Sequence, residues 1–411
     1  MWAGERFRSW FYPGFTAFVS SQFVSLIGDR AASLAFVSLV ASVVSQDKAG
    51  AAASNIAVIQ ILPIFLFSYF GGWLSDRLPR KWLMWWVDVL RLLTVFVFLP
   101  IFAVWPNIYS VYVTVFVLGT MTAFFNPAKR SFIPFLVPMN TIRQANWWVV
   151  LTEVVAMGGG IGLGTLLLKY FPPSIALIGD ALTFLVALFI LFSVPSNLDR
   201  GAAGETNVVS FEDLKMGLSY LRGNRALLII IFVMSVPFYF ACGLYYAAAN
   251  HWAVEVNPTN AGYSLGLILM AIAMGSLLSF LLRGLIEQFN EMLGAAIAFF
   301  AGAAFALPLG LIGANSNQYV ILCLSLLFGI SVGLIYARSV YMIHMNTESW
   351  VVGRVISINE IFTGLAVAVA IGVTSALGPA FSAPLGWAAA AGVFAISGLA
   401  MYATYNKRSS E

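Results

Sequence analysis

The sequence predicts an all-α integral membrane protein with twelve transmembrane helices in two pseudo-symmetric six-helix bundles. Of its 411 residues, 61% are hydrophobic and 9% are charged, which is more apolar surface than a soluble globule can bury. Twelve apolar segments are each long enough to cross a bilayer, and none shows the ten-residue alternation of an outer-membrane barrel. The predicted spans are 14–44, 53–74, 82–104, 108–126, 145–168, 174–194, 226–252, 262–282, 292–314, 319–343, 355–377 and 384–405.

Basic residues between the spans predict the orientation. With a cytoplasmic N-terminus, sixteen Lys and Arg residues fall on the cytoplasmic side, and only Lys48 and Lys169 fall on the other. The positive-inside rule therefore predicts that both termini are cytoplasmic and that the protein lies in the inner (cytoplasmic) membrane. The net charge of +4 reflects orientation and lipid contact, not nucleic-acid binding.

The longest polar stretch divides the chain into two halves. We expect an N-terminal bundle over 1–195, a cytoplasmic linker over 196–225 and a C-terminal bundle over 226–411. Within the linker, "FEDLKMGLSYLR" has helical apolar spacing and predicts an amphipathic surface helix. No nucleophile elbow, metal cluster or extramembrane domain suggests an enzyme, and we expect no cofactor and no bound metal. Cys242 and Cys323 lie within spans and form no close pair.

The loop after the second span, "GGWLSDRLPRK", concentrates charges in a chain that has few. Gly72, Asp76, Arg77, Arg80 and Lys81 occur at the spacing of the Gly-x-Leu-Ala-Asp-Arg-x-Gly-Arg-Lys/Arg loop, and so the chain resembles the major facilitator superfamily. Further stretches resemble the branch that contains macrolide-efflux, enterobactin-export and lysophospholipid-transporter-like proteins: "SLIGDR", "NPAKRSFIPFLVP", "GDALTF", "FEDLKMGLSYLR" and "GRVIS".

The resemblance implies a role for this loop. Asp76 is expected to face the N-terminus of the eleventh helix, near Gly353 and Arg354, because the free N–H groups there favour an anion. Arg77, Arg80 and Lys81 would meet nearby carboxylates or anionic headgroups. The loop would then latch the two halves on the cytoplasmic side in an outward-open state. The alternative is a solvated positive-inside loop.

Ionisable residues within spans are costly and indicate function. Asp29 lies midway along the first span and is the leading candidate for substrate or proton coupling, with Arg30 as its local counter-charge; a structural ion pair is the alternative. Glu153 is a second candidate that lines the cavity or pairs with Lys129 or Arg130. Five further residues are expected to form structural charge networks, including an Arg338–Glu360 pair: Asp88, Arg91, Asp180, Arg338 and Glu360.

Two other clusters have structural and functional interpretations. "PFYFACGLYY" places Phe238, Tyr239, Tyr245 and Tyr246 in the seventh span, where they could form an aromatic wall for an amphiphilic substrate or pack in the core. "GGGIGLG", Gly158 to Gly164, is not a phosphate loop, because no Lys-Ser/Thr follows it. Close helix packing through small residues explains it.

The function expected from these features is proton-coupled export of a hydrophobic or amphiphilic small molecule by alternating access. The expected partners are that substrate, protons and membrane lipids, and the protein is expected to be a monomer. A lysophospholipid-type flippase without strict coupling is the first alternative. A ferroportin-like metal exporter is the second, because the "GDR" of the first span resembles ferroportins. A membrane enzyme or a non-transporting assembly factor is the third.

We predict that Asp76→Asn folds and inserts but shifts the population toward inward-open forms. A neutral amide forfeits up to about 2 kcal/mol of attraction to the helix end. Cysteine pairs across the cytoplasmic face, labelled in the variant and the parent, report the shift. Equal accessibility together with unchanged transport would contradict the latch.

Overall fold

The computed structural model describes residues 12–195, 211–312, 317–348 and 351–410. Within these ranges, twelve helices are long and apolar enough to cross a membrane, which confirms the predicted fold class. The thirteen helices of the described chain are α1 Pro13–Val43, α2 Gln46–Arg77, α3 Arg80–Val104, α4 Ile108–Leu136, α5 Ile142–Tyr170, α6 Pro173–Phe192, α7 Phe211–Gly223, α8 Arg225–Val256, α9 Ala261–Glu287, α10 Glu291–Ile312, α11 Gln318–Met345, α12 Val352–Leu377 and α13 Ala383–Ser410.

The chain forms two compact units. Within the described ranges, unit 1 comprises residues 12–43 and 59–195, and unit 2 comprises 44–58 and the described residues from 211 onward. The boundary between them therefore falls inside α2 as well as in the linker. The predicted amphipathic helix of the linker is α7, while the linker residues 196–210 lie outside the described residues.

In unit 1, α1 packs against α5 and α6. The glycine cluster of α5 allows the close approach, because a Cβ atom at Gly160 would lie 2.7 Å from the carbonyl oxygen of Ile27. This agrees with the packing interpretation of that cluster. Toward the start of α1, Phe15 and Phe18 are fully buried, and Phe18 meets Phe132 of α4 edge to face at 5.6 Å.

In unit 2, α8 is not uniformly α-helical. Residues Ile230–Ser235 form a π-helical segment that ends two residues before Pro237. A proline cannot donate the backbone hydrogen bond of its turn, and its ring clashes with the preceding carbonyl. The wider turn accommodates both effects. Inside this segment the Ser235 hydroxyl meets the Ser339 hydroxyl of α11 at 2.6 Å.

The linker helix α7 packs on the start of α12 within unit 2. Arg354 Nη1 lies 3.2 Å from the sulfur of Met216, and the backbone N–H of Glu348 donates to the Tyr220 hydroxyl at 3.3 Å. The Asn224 side chain donates to the carbonyl of Asn346 at 3.1 Å. Polar contacts therefore fix α7 and the residue after it to α12 and to the segment between α11 and α12.

Lys81 and Arg80 join α3 to its neighbours inside unit 1. The buried Lys81 ammonium donates to the carbonyl oxygen of Phe192 at 3.0 Å and to that of Val194. These carbonyls lie at the C-terminus of α6, where backbone acceptors lack helical partners and a cation is favoured. The prediction that Lys81 meets a carboxylate or headgroup was wrong, because sequence does not show which helix end comes close. Arg80 is also buried, and its Nε donates to Ser131 Oγ at 2.9 Å.

We predict that Lys81→Met lowers the free energy of unfolding by about 1.5–3 kcal/mol, the size of hydrogen bonds to a charged group. Thermal unfolding of the purified protein in detergent measures the change. Lys48→Met is the matched control, because Lys48 is exposed. Equal unfolding temperatures for both variants and the parent would contradict the capping role.

Candidate functional site

Four charged side chains from three helices meet in unit 1. Asp29 lies on α1, Asp88 and Arg91 lie on α3, and Asp180 lies on α6. The exposed fraction is 0% for Asp88, 4% for Arg91 and 1% for Asp180, and Asp29 is half-buried. We call these four residues the carboxylate cluster.

Arg91 is the cation of this cluster. Its Nη1 lies 3.3 Å from Asp88 Oδ1, and its Nη2 donates to Thr122 Oγ1 on α4 at 2.9 Å. The guanidinium also lies over the rings of Phe125 and Phe184, 4.7 and 5.6 Å from their centroids. Arg91 therefore contacts two aromatic rings and a hydroxyl. Among the described residues, Asp88 is the carboxylate that binds it directly.

Among the described residues, neither carboxylate oxygen of the buried Asp180 has a hydrogen-bond partner, and Asp88 Oδ2 also lacks one. The nearby Thr183 hydroxyl donates its single proton to the backbone carbonyl of Asp180 at 2.7 Å. Buried polar atoms are normally satisfied, and unsatisfied ones mark places where a proton, ion or water binds. The cluster thus has free acceptor capacity in an apolar interior.

Asp29 interacts electrostatically with both Asp180 and Asp88. Gly28 makes the approach possible, because a Cβ atom there would lie 2.6 Å from Asp180 Oδ1. The sequence predicted structural charge networks for Asp88 and Asp180 and did not join them to Asp29. Gly28, directly before Asp29, was the signal in the sequence for this close approach.

The cluster carries three carboxylates against one guanidinium. Arg30, the expected counter-charge of Asp29, has an exposed side chain, and its Cβ faces Gly160 of α5. Like carboxylates in one apolar site cannot all stay ionised at low cost. The arrangement is therefore chemically suited to bind and release protons.

Glu153, the second coupling candidate, forms an ion pair with Lys129 in unit 1. Lys129 Nζ lies 2.5 Å from Glu153 Oε1, which is one of the two pairings that the sequence suggested. The pair lines a narrow crevice between α1, α4 and α5, together with Gln22 and Thr152.

The latch residues are only partly described. The side chain of Asp76 and the surroundings of Gly353 are not among the described features, so the latch stays a prediction. Gly72 is helical and half-buried. Arg77 is exposed and lies over the Trp73 ring, 4.0 Å from its centroid. Arg354 contacts α7, as described above.

Arg338 binds Glu291. Its Nη1 donates to Glu291 Oε2 and to the Glu291 carbonyl, both at 2.9 Å, at the first residue of α10. The predicted pair of Arg338 with Glu360 stays a prediction. Glu360 is exposed and acts electrostatically on Tyr239 of α8.

The aromatic cluster of α8 divides between two faces. Phe238 and Tyr245 are each 2% exposed; Tyr245 stacks on Phe328 at 4.2 Å, and its hydroxyl meets Ser325 Oγ at 2.8 Å. These two residues pack in the core of unit 2, which is the second of the two interpretations that the sequence allowed, and they do not form a substrate wall here. Tyr239 and Tyr246 are half-buried and remain candidates.

Comparison with known proteins identifies the family. The family model of the Major Facilitator Superfamily matches residues 18–343. The chain belongs to the Major Facilitator Superfamily. It is a multi-pass membrane transporter and not an enzyme.

Individual relatives agree with the family. The uncharacterized MFS-type transporter YfiS of Bacillus subtilis (strain 168) is 26% identical over 238 residues, 54% of each chain. The match thus spans about half the length of that relative. Among solved structures, the POT family transporter PepTSo has a TM-score of 0.73 at 11% identity, covering 98% of this chain and 99% of that one. A bacterial homologue of the iron transporter ferroportin, in an inward-facing state, has a TM-score of 0.69 at 16% identity, covering 97% and 99%.

We predict that Arg91→Gln lowers the free energy of unfolding by about 3–5 kcal/mol, because it leaves buried carboxylates without their cation. The double variant Arg91→Gln/Asp88→Asn should recover a substantial part of that loss, since the second substitution removes one uncompensated buried charge. Chemical unfolding in detergent measures both variants, with Arg77→Gln at an exposed position as the control. Additive destabilisation in the double variant would contradict the cluster.

Proposed function

We propose that this transporter is a proton-coupled secondary exporter of a hydrophobic or amphiphilic small molecule. It works by alternating access in the inner membrane, with both termini in the cytoplasm. The observation that carries the coupling is the carboxylate cluster, in which both oxygens of the buried Asp180 lack a hydrogen-bond partner. The positive-inside distribution supports the orientation.

The cluster can exchange protons because its charge is unbalanced. When Asp29, Asp88 and Asp180 are all ionised, Arg91 neutralises one of three charges. A proton on Asp180 removes a buried charge and supplies an O–H donor for a neighbouring carboxylate. Asp29 is half-buried, while Asp88 and Asp180 are almost inaccessible. Protons therefore enter and leave the cluster through Asp29.

Coupling follows if the environment of Asp29 changes during transport. An ionised carboxylate is favoured where water reaches it, and the protonated form is favoured where water is excluded. A conformational change that alters access to Asp29 then binds a proton in one state and releases it in the other. Arg91 remains bound to Asp88 and Thr122, and so keeps the cluster together through the cycle.

Export of an amphiphile is supported by the resemblance to the macrolide-efflux, enterobactin-export and lysophospholipid-transporter branch. The ferroportin-like alternative gains no support from the site. Among the described residues, no three His, Cys, Asp or Glu side chains lie close enough together to hold a metal ion, and this includes the three carboxylates of the cluster. The likeness to a ferroportin homologue is at 16% identity and reflects the shared fold.

We predict that Asp29→Asn and Asp180→Asn abolish accumulation driven by a pH gradient but retain counterflow, because an amide mimics the protonated acid without exchanging its proton. A one-unit gradient is worth about 1.4 kcal/mol per proton, or about tenfold accumulation for one-to-one exchange. The assay uses proteoliposomes screened with ethidium, a macrolide, a siderophore and a lysophospholipid. Asp29→Glu should keep part of the activity.

Asp47→Asn is the matched control, since it changes an exposed carboxylate and should accumulate substrate as the parent does. Accumulation by Asp29→Asn at the parental level would overturn the coupling role of the cluster. Movement of a lysophospholipid that is indifferent to the gradient in the parent would instead establish the flippase alternative.

A further inference from the structure

The crevice between α1, α4 and α5 in unit 1 combines polar and aliphatic side chains. Gln22, Lys129, Thr152 and Glu153 supply the polar groups, and Leu26 and Val149 are among the aliphatic ones. Gln22 and Leu26 lie on the same face of α1 as Asp29, because Gln22 and Asp29 are seven residues apart. The crevice and the carboxylate cluster are thus two turns apart on one helix.

The two members of the ion pair in the crevice differ in their access to water. The side chain of Lys129 is 8% exposed, whereas that of Glu153 is 46% exposed. A buried ammonium needs a partner inside the protein, but a half-exposed carboxylate can turn outward and be hydrated. Lys129 is therefore the fixed charge of the pair, and Glu153 is an exchangeable counter-ion.

Gln22 supplies a second donor beside Lys129. Its side chain is 95% buried, since the residue is 5% exposed, and its Nε2 is 3.5 Å from Ser21 Oγ, at the outer limit of a hydrogen bond. The Ser21 hydroxyl donates to the carbonyl of Phe18 at 2.7 Å. The Gln22 amide therefore retains donor capacity toward a group that enters the crevice.

We propose that the crevice is a subsite for an anionic headgroup, phosphate or carboxylate, of the amphiphilic substrate. The anion takes the place of Glu153 at the Lys129 ammonium and accepts a hydrogen bond from Gln22. Leu26 and Val149 contact the apolar part of the molecule next to the headgroup. Glu153 turns into water when the ligand is bound. This inference rests on the proposed function, because the ligand is its cargo.

The test is equilibrium binding to the full-length protein in phosphatidylcholine nanodiscs, without a gradient. The probes are lysophosphatidic acid, the fatty acid of the same chain, the uncharged monoacylglycerol of that chain and inorganic phosphate. The parent should bind both anionic amphiphiles at least about tenfold more tightly than the monoacylglycerol, the order of one charge-assisted hydrogen bond. Inorganic phosphate should bind much more weakly than lysophosphatidic acid, since it lacks an apolar body.

Three variants separate the subsite from a purely structural ion pair. Lys129→Met should remove the preference for anions, and Glu153→Gln should increase affinity for them several-fold, because the competing carboxylate is gone. The double variant Lys129→Met/Glu153→Gln leaves no unpaired charge, so it controls for folding and should show no preference. Lys48→Met, at an exposed lysine, should bind as the parent does.

Several outcomes would overturn the subsite. They are equal affinity for lysophosphatidic acid and monoacylglycerol in the parent, an anion preference that survives Lys129→Met, weaker anion binding in Glu153→Gln, or inorganic phosphate bound as tightly as the amphiphile. Failure of the proposed function looks different. In that case no probe is concentrated by a pH gradient in proteoliposomes, while the anion preference and its dependence on Lys129 persist in nanodiscs.

Discussion

The cost of an ionised side chain in an apolar interior determines how unit 1 is built. Such a group must find a counter-charge or hydrogen-bond partner inside the protein, because neither lipid nor packed side chains can solvate it. Lys81 donates to backbone carbonyls at the end of α6, Lys129 pairs with Glu153, and Arg91 binds Asp88 and Thr122. Lys81 thereby joins α3 to α6, Lys129 joins α4 to α5, and Arg91 joins α3 to α4, so the charges help to specify which helices become neighbours.

Asp180 differs from these satisfied groups. Its carboxylate is as deeply buried as Arg91, yet neither oxygen has a hydrogen bond from the described residues, and the nearby Thr183 hydroxyl donates to a backbone carbonyl instead. Stability alone would favour an apolar residue of similar size at this position. A carboxylate at this position, in spite of its cost, is what the proposed proton exchange requires. Unsatisfied groups concentrate at functional sites in other proteins as well.

The sequence was sufficient for the fold and for the identity of the charged residues, but not for their partners. Span length and composition depend on local chemistry, which is why twelve helices could be predicted. Partners depend on which helix faces approach each other: Glu291, which the sequence did not suggest, lies beside Arg338, and backbone carbonyls lie beside Lys81 where carboxylates were expected. Carbonyl acceptors at a helix end leave no residue-type signal. Gly28 beside Asp29 is a weak signal. A glycine in a helix indicates that another group comes close, but it does not indicate which group.

The contact between Lys81 and α6 also has a consequence for biogenesis. Lys81 precedes its acceptor at Phe192 by 111 residues, which takes about 6–22 s to synthesise at typical rates of 5–20 residues per second. During that interval α3 enters the membrane with its ammonium still in contact with water or headgroups. The N-terminus of α3 can therefore be buried only after α6 has been synthesised and inserted. The order of synthesis thus makes the sixth span the step that completes unit 1.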